Sequence, residues 1–293
     1  MHSPRRDAES MSFRDTKPHE RRSVMGATYP QVITVTSGKG GVGKTNIAAN
    51  LACALAQTGK VILLDADLGL ANVDVLLGVQ PAMDLFTIFE EGAGLSDILF
   101  PTPYGFSILP TSSGIETMAE LSTGQKLELL NAMDAIAEGL DYLIVDTGAG
   151  ISDSVLYFCM AAQQRLLVLN PEPTSLADAY ALIKVLKTRH GIDQFKICIN
   201  MARDPKSAKE SFVRLLEACD QFLDGVSLDL AGVVPFDPDV RRAVMQQKPF
   251  LSKYPDCPAS KALLQMAEQI PRWQATAQDD GNIKFFWKSL LYR

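Results

Sequence analysis

The sequence predicts an α/β fold: a mainly parallel β-sheet with helices on both faces, followed by an amphipathic C-terminal helix. Three observations carry that prediction. Short apolar runs alternate with helical patterns of roughly ten to fifteen residues, the arrangement that builds βαβ units. The runs are unbroken Val/Ile/Leu stretches, as expected for strands covered on both faces. The 293 residues are 47% hydrophobic and 21% charged, which suits one large α/β domain or two small ones and is too apolar for a disordered chain.

Residues 1–30 carry six Lys/Arg and four Asp/Glu with almost no apolar periodicity, and are expected to form a flexible arm. Strands are predicted at Gln31–Thr36, Lys60–Asp65, Phe106–Leu109, Tyr142–Asp146, Arg165–Leu169, Phe195–Asn200 and Leu228–Val234. Helices are predicted at Lys44–Gln57, Leu121–Ala137, Ser154–Ala162, Ser175–Arg189, Lys206–Phe222 and Pro258–Gln269. The domain is bounded at 31–272, residues 273–281 form a polar linker, and 282–293 form the final helix. The net charge of −6 disfavours non-specific nucleic-acid binding through the whole surface. The five cysteines are scattered and never form C-x-x-C, which points to reduced thiols in a cytosol rather than a disulfide frame or zinc ribbon. The three histidines have no metal-ligand spacing. Residues 1–30 lack the apolar core of a secretory signal, and no stretch is long enough to span a membrane.

Gly38-Lys39-Gly40-Gly41-Val42-Gly43-Lys44-Thr45 fits G-x-x-x-x-G-K-[ST], and it lies between an apolar strand and a helix opened by Asn46. Glycines let the backbone turn its N–H groups toward phosphate oxygens, and the helix N-terminus adds a favourable dipole. Lys44 is expected to reach the β/γ-phosphates and the Thr45 hydroxyl to bind Mg²⁺. Lys39 is an additional lysine, a solvated surface residue on the plain reading. Two strands end in carboxylates: Asp65-Ala66-Asp67 after one, Asp146-Thr147-Gly148-Ala149-Gly150 after the other. Ligands of open α/β sheets sit beyond the carboxyl ends of strands, so all three aspartates are expected to face the phosphate loop. Asp146 fits a role at Mg²⁺, with Asp65 beside it, and Asp67 is placed to orient the attacking water. Either Asp65 or Asp67 alone could instead cap a turn or helix.

With Lys39 in place the loop takes the K-G-G-x-G-K-T form, and from Gln31 to the C-terminus the chain resembles the MinD/ParA ATPases. The resemblance implies an ATPase with Mg²⁺ as cofactor that binds ATP and ADP, dimerises around ATP and turns over slowly under partner stimulation. It implies that Lys39 crosses to the partner's phosphates, with Lys39, Lys44 and Asp67 catalytic. The nucleotide contacts it implies run from Gly38 through Gly40, Gly41, Val42, Gly43 and Thr45 to Asn46, together with Glu172, and Asn200, Pro235 and Asp237 at the adenine. Three stretches are similar to the branch that regulates flagellar number and placement: Asp65–Asp74, Glu172–Lys184 and the terminal Phe285-Phe286 helix. Implied partners are a flagellar GTPase of the FlhF type, flagellar switch proteins and a flagellar transcription regulator, with no direct nucleic acid. Residues 1–30 depart from that branch in lacking its D-Q-A-x-x-L-R motif, which stimulates the GTPase, and Gly148 replaces the usual Ala or Pro.

In the last twelve residues, Ile283, Phe286, Trp287, Leu290 and Leu291 form one apolar stripe flanked by Lys284 and Lys288, with no acidic residue. Such a helix suits an anionic membrane surface, so the protein is expected in the cytoplasm and peripherally on the membrane in its ATP state. The stripe could instead pack on the protein's own core. Four rivals stand beside the flagellar reading. A positioning ATPase for another cargo (division site, chromosome or plasmid) that bound DNA would want a Lys/Arg stripe. A cluster carrier would need cysteines at cluster spacing. A tyrosine kinase would carry a terminal tyrosine cluster. A binding protein with ATP as structural glue would not need Asp67.

Overall fold

The computed structural model describes residues 30–67, 72–89, 94–111, 122–137 and 139–273. In chain order the elements are β1 (Gln31–Ser37), α1 (Lys44–Leu55), β2 (Val61–Ala66), α2 (Val73–Leu77), α3 (Leu95–Ile98), β3 (Phe100–Pro101), β4 (Ser107–Leu109), α4 (Thr123–Ala137), β5 (Tyr142–Ala149), α5 (Asp153–Ala161), β6 (Gln164–Leu169), α6 (Pro173–His190), β7 (Gln194–Ala202), α7 (Pro205–Phe222), β8 (Ser227–Pro235), α8 (Pro238–Met245), α9 (Phe250–Lys253) and α10 (Pro258–Gln269). The seven predicted strands and six predicted helices are all present, with ends shifted by at most three residues. The additions are short: α2, α3, β3, α8 and α9 have two to eight residues, too few to show a period. Proline marks helix starts that periodicity alone placed late. Pro173 and Pro205 sit in the first turns of α6 and α7, where a missing N–H costs nothing and a fixed φ helps.

The sheet runs β3-β4-β2-β5-β1-β6-β7-β8. Every pairing is parallel except β3 with β4 at one edge. Alternation along each strand feeds a core on each face. Ile33, Val35, Leu63 and Ile144 pack with α1 and α10, while Val32, Ile62, Leu64, Leu143 and Val145 pack with α4 and α5. Further along the sheet, Leu167, Leu169, Ile197 and Ile199 join α6 and α7 in a third cluster. Burial of each such side chain contributes about 1.5–3 kcal/mol, which fixes the register because a slip of one residue would exchange the two faces.

That register positions the carboxylates. Asp65 of β2 pairs with Asp146 of β5, and Val35 of β1 pairs with Asp146 from the other side. Adjacent strands lie about 4.8 Å apart, so both aspartates end up beside the segment that follows β1. Since β1 sits between β5 and β6, that segment opens at the centre of the sheet, where the connections leave on opposite faces. The expected linker after its first residue and the final helix, with Ile283, Phe286, Trp287, Leu290 and Leu291, lie outside the described residues, as does all but the last residue of the expected arm. Among the described residues, no helix is long and apolar enough to cross a membrane.

Candidate nucleotide-binding site

The loop between β1 and α1 turns through two left-handed glycines, Gly41 (φ 77°) and Gly43 (φ 89°), a conformation that side chains resist. Gly43 is also the N-cap of α1, so the helix N-terminus faces the loop. Two close approaches fix the loop from outside. A Cβ on Gly38 would collide with the backbone carbonyl of Asp178 in α6. A Cβ on Gly43 would lie 2.5 Å from Nδ2 of Asn200, which donates to the Val42 carbonyl at 2.8 Å. Asn200 therefore ties the end of β7 to the phosphate loop.

Lys44 and Asp146 are both buried, at 8% and 1% exposure. Burial pulls Lys44 below the ordinary lysine range, against the pull of the Asp146 and Asp67 carboxylates. Burial also pushes Asp146 up to about 7, opposed by a hydrogen bond with Thr45 and the charge of Lys44, and aided by Asp65 and Asp67. Oδ1 of Asp146 is buried with no hydrogen-bond partner, as is Oδ1 of Asn46 at the start of α1. An orphaned, deeply buried carboxylate oxygen beside a threonine hydroxyl is the donor set Mg²⁺ takes through water when it arrives on phosphate. Among the described residues no group of His, Cys, Asp or Glu could hold a metal ion unaided.

Asp65, expected at the metal, spends both oxygens on backbone N–H groups. Its Oδ1 accepts from the Asp67 N–H at 3.2 Å, and its Oδ2 accepts from Asn72 and Val73 at 3.1 Å each. Asp65 thus ties the Asp67 backbone to the start of α2. Burial raises its carboxyl to about 6, even with these three backbone donors holding it down. Asp67 itself is half-buried beside Gly148, where an added Cβ would lie 3.2 Å from Oδ1 of Asp67. Lys44, Asp67 and Asp146 therefore converge at the ends of β1, β2 and β5.

Lys39 and Glu172, expected at the nucleotide, meet each other. Nζ of Lys39 lies 3.1 Å from Oε2 of Glu172 and donates to Oγ1 of Thr174 at 2.9 Å. Glu172 is the N-cap of α6, and Thr174 follows Pro173 in its first turn. Thr174 had no mark in the sequence beyond its place in that motif. Pro235 ends β8. Asp237 caps α8: Oδ1 accepts from Asp239 at 2.9 Å and Oδ2 accepts from Ala259 of α10 at 3.2 Å. Burial opposes ionisation of Asp237, but those backbone donors together with Cys257 and the charge of Arg242 outweigh it and hold the carboxyl below the ordinary range. Asn200, Pro235 and Asp237 thus cluster at the ends of β7 and β8, on the other side of the loop from Asp67 and Asp146. All five cysteines are buried.

The comparisons with known proteins agree with this fold. The ParA family model, described as NUBPL iron-transfer P-loop NTPase, matches residues 28–271. The antiactivator FleN of Pseudomonas aeruginosa is 47% identical over 269 residues, covering 91% of this chain and 96% of that relative. The flagellum site-determining protein YlxH of Helicobacter pylori is 33% identical over 263 residues, covering 88% and 89%. Among solved structures, the cell division ATPase MinD of Pyrococcus furiosus superposes with a TM-score of 0.65 at 26% identity, over 83% of this chain and 98% of that one. MinD of Pyrococcus horikoshii, complexed with Mg-ADP, gives 0.64 at 26% identity, over 82% and 96%.

Proposed function

Because this chain belongs to the MinD/ParA family of P-loop ATPases, we propose that it is an ATP-dependent switch that dimerises around nucleotide and regulates the number or placement of flagella. The flagellar assignment draws on the similarity to FleN (the FlhG kind of regulator) and to YlxH. An iron-carrier role is disfavoured by the thiols: burial pushes Cys53, Cys159 and Cys219 up to about 11 and Cys198 up to about 12, so thiolate ligands are costly.

The observation that carries the ATPase reading is the buried pair of Lys44 and Asp146, with Thr45 hydrogen-bonded to Asp146 and one carboxylate oxygen left without a partner. Backbone N–H groups of residues 38–45 and the Lys44 ammonium bind the phosphates. Thr45 and Asp146 hold Mg²⁺, which neutralises phosphate charge when bound. Asp67 orients the attacking water, and Asp65 holds the segment that carries Asp67. Lys39 leaves Glu172 and Thr174 to reach the partner's phosphates. Phosphoryl transfer asks mainly for this positioning and charge stabilisation, so few groups suffice. Asn200, Pro235 and Asp237 line the side where the base lies. The C-terminal stripe, outside the described residues, anchors the ATP dimer on anionic lipid, and turnover is slow and partner-stimulated.

The test is ATP binding, hydrolysis and sizing of three proteins. Wild type should bind ATP with Mg²⁺, dimerise and hydrolyse it. Lys44→Ala should lose binding and dimerisation together. Asp67→Ala should bind, dimerise and turn over slower by on the order of 10²-fold. Unchanged ATP affinity in Lys44→Ala would overturn the phosphate-loop reading, and normal turnover in Asp67→Ala would remove Asp67 from the chemistry.

A further inference from the structure

Two helix ends with no obvious share in the chemistry are built against each other. Helix α8 closes with the paired bonds of a Schellman motif, Gln247 N–H to Val244 O at 2.9 Å and Lys248 N–H to Ala243 O at 3.1 Å. The motif needs a left-handed residue, ordinarily glycine, yet Gln247 holds φ 52°. The short helix α2 also closes left-handed, at Gly78 with φ 64°. The two caps touch: a Cβ on Gly78 would sit 3.1 Å from Cβ of Gln247 and 3.3 Å from its carbonyl oxygen. Across this contact Nε2 of Gln247 donates to the Val75 carbonyl of α2 at 2.9 Å.

Helix α2 is linked to Asp67 through Asp65. Its first residue, Val73, and the preceding Asn72 donate to Asp65, and Asp65 accepts from Asp67 on its other oxygen. A glycine at 247 would satisfy the cap with less strain but could not reach α2. The side chain at that strained position is accounted for by what it holds.

We propose that Gln247 is a positioning residue for hydrolysis, clamping α2 to the α8 cap and thereby fixing the Asp65 hydrogen bonds that hold Asp67. The proposal rests on the reading of Asp67 as the group that orients water.

The experiment uses the full chain with Gln247→Glu, Gln247→Gly and Gln247→Lys. Glutamate keeps the shape and loses the donor, glycine relieves the strain and loses the side chain, and lysine keeps a donor of sufficient reach. Amide hydrogen exchange at Val73–Gly78 without nucleotide reads the clamp, and kcat against ATP Kd reads its consequence. The glutamate and glycine variants should exchange faster in α2 and lose roughly 2- to 10-fold in kcat at unchanged Kd, the worth of one such hydrogen bond. Gln247→Lys should restore both, and Gln247→Gly should melt no lower than wild type. Wild-type exchange or wild-type kcat in Gln247→Glu overturns the proposal. Asp67→Ala in the same assay separates the two readings: if it hydrolyses normally, the reading of Asp67 fails while exchange at α2 still judges the clamp by itself.

Discussion

Releasing Lys39 should make the ATP dimer form more readily. In the single chain Lys39 is held by Glu172 and Thr174, and a lysine that acts across a dimer must break both contacts first. The side chains of Lys39 and Glu172 are 37% and 55% exposed, so solvent screens the ion pair to about 0.2–1 kcal/mol. The Thr174 hydroxyl adds about 0.5–1.5 kcal/mol. Together the restraint is worth about 1–2 kcal/mol, or roughly 5- to 30-fold in an equilibrium constant. The perturbation is Glu172→Ala with Thr174→Val, placed on Asp67→Ala so that ATP persists. Both protomers release a lysine, so sedimentation equilibrium with ATP and Mg²⁺ should show a dimerisation constant raised by the square of that factor, roughly 25- to 900-fold. The gain should shrink in about 1 M salt, where exposed charges are screened over about 3 Å. An unchanged or weaker dimer would refute the restraint. A weaker dimer with weaker ATP binding would instead put Glu172 at the nucleotide, the role first expected of it.

Three further outcomes follow from the site and the chain end. Gly148→Ala has no left-handed backbone to strain, but its Cβ would lie 3.2 Å from Oδ1 of Asp67, so the carboxylate must shift by a few tenths of an ångström. We expect turnover to fall several-fold with ATP affinity unchanged, since a shift of about 1 Å can cost roughly 10²-fold; an unaltered kcat would show that Asp67 is not confined there. Asp65 and Asp146 are raised to about 6 and about 7, above an unfolded value of about 3.9, so between those limits the folded chain binds more protons than the unfolded one. This contribution to stability is present at low pH and is lost as pH rises through about 6 to 7. Asp146→Asn should therefore flatten the fall in melting temperature of the nucleotide-free protein across that window, and an identical pH slope in the variant would count against it. Finally, Trp287→Glu should abolish pelleting with anionic liposomes in ATP. The wild type should pellet far better in ATP than in ADP, because two anchors on one dimer gain roughly 10²–10⁴ in avidity, and equal pelleting in all conditions would exclude the anchor.

Local signals carried most of the fold. A parallel strand buried on both faces must be apolar throughout, so β1, β2, β5 and β6 stood out as unbroken runs. The elements that escaped were too short for a period. β3 has two residues, and α9 has four. The phosphate loop was equally legible, because its function needs contiguous residues: glycines that turn, a lysine that reaches, and a hydroxyl at the first turn of α1.

The sequence by itself determined the fold class, the loop and the set of carboxylates near it. Only the tertiary structure divided the labour among them. Asp65 and Asp146 are alike as residues at strand ends, yet one spends both oxygens on backbone N–H groups and the other keeps one oxygen free. Lys39 meets Glu172 across 133 residues, Asn200 meets Val42 across 158, and Gln247 meets Val75 across 172. Periodicity and motif spacing act over one or two turns of chain, whereas these contacts arise from strand order and cap geometry. A hydrogen bond depends on distances of a few tenths of an ångström, and that precision exists only after the core has packed and fixed the register.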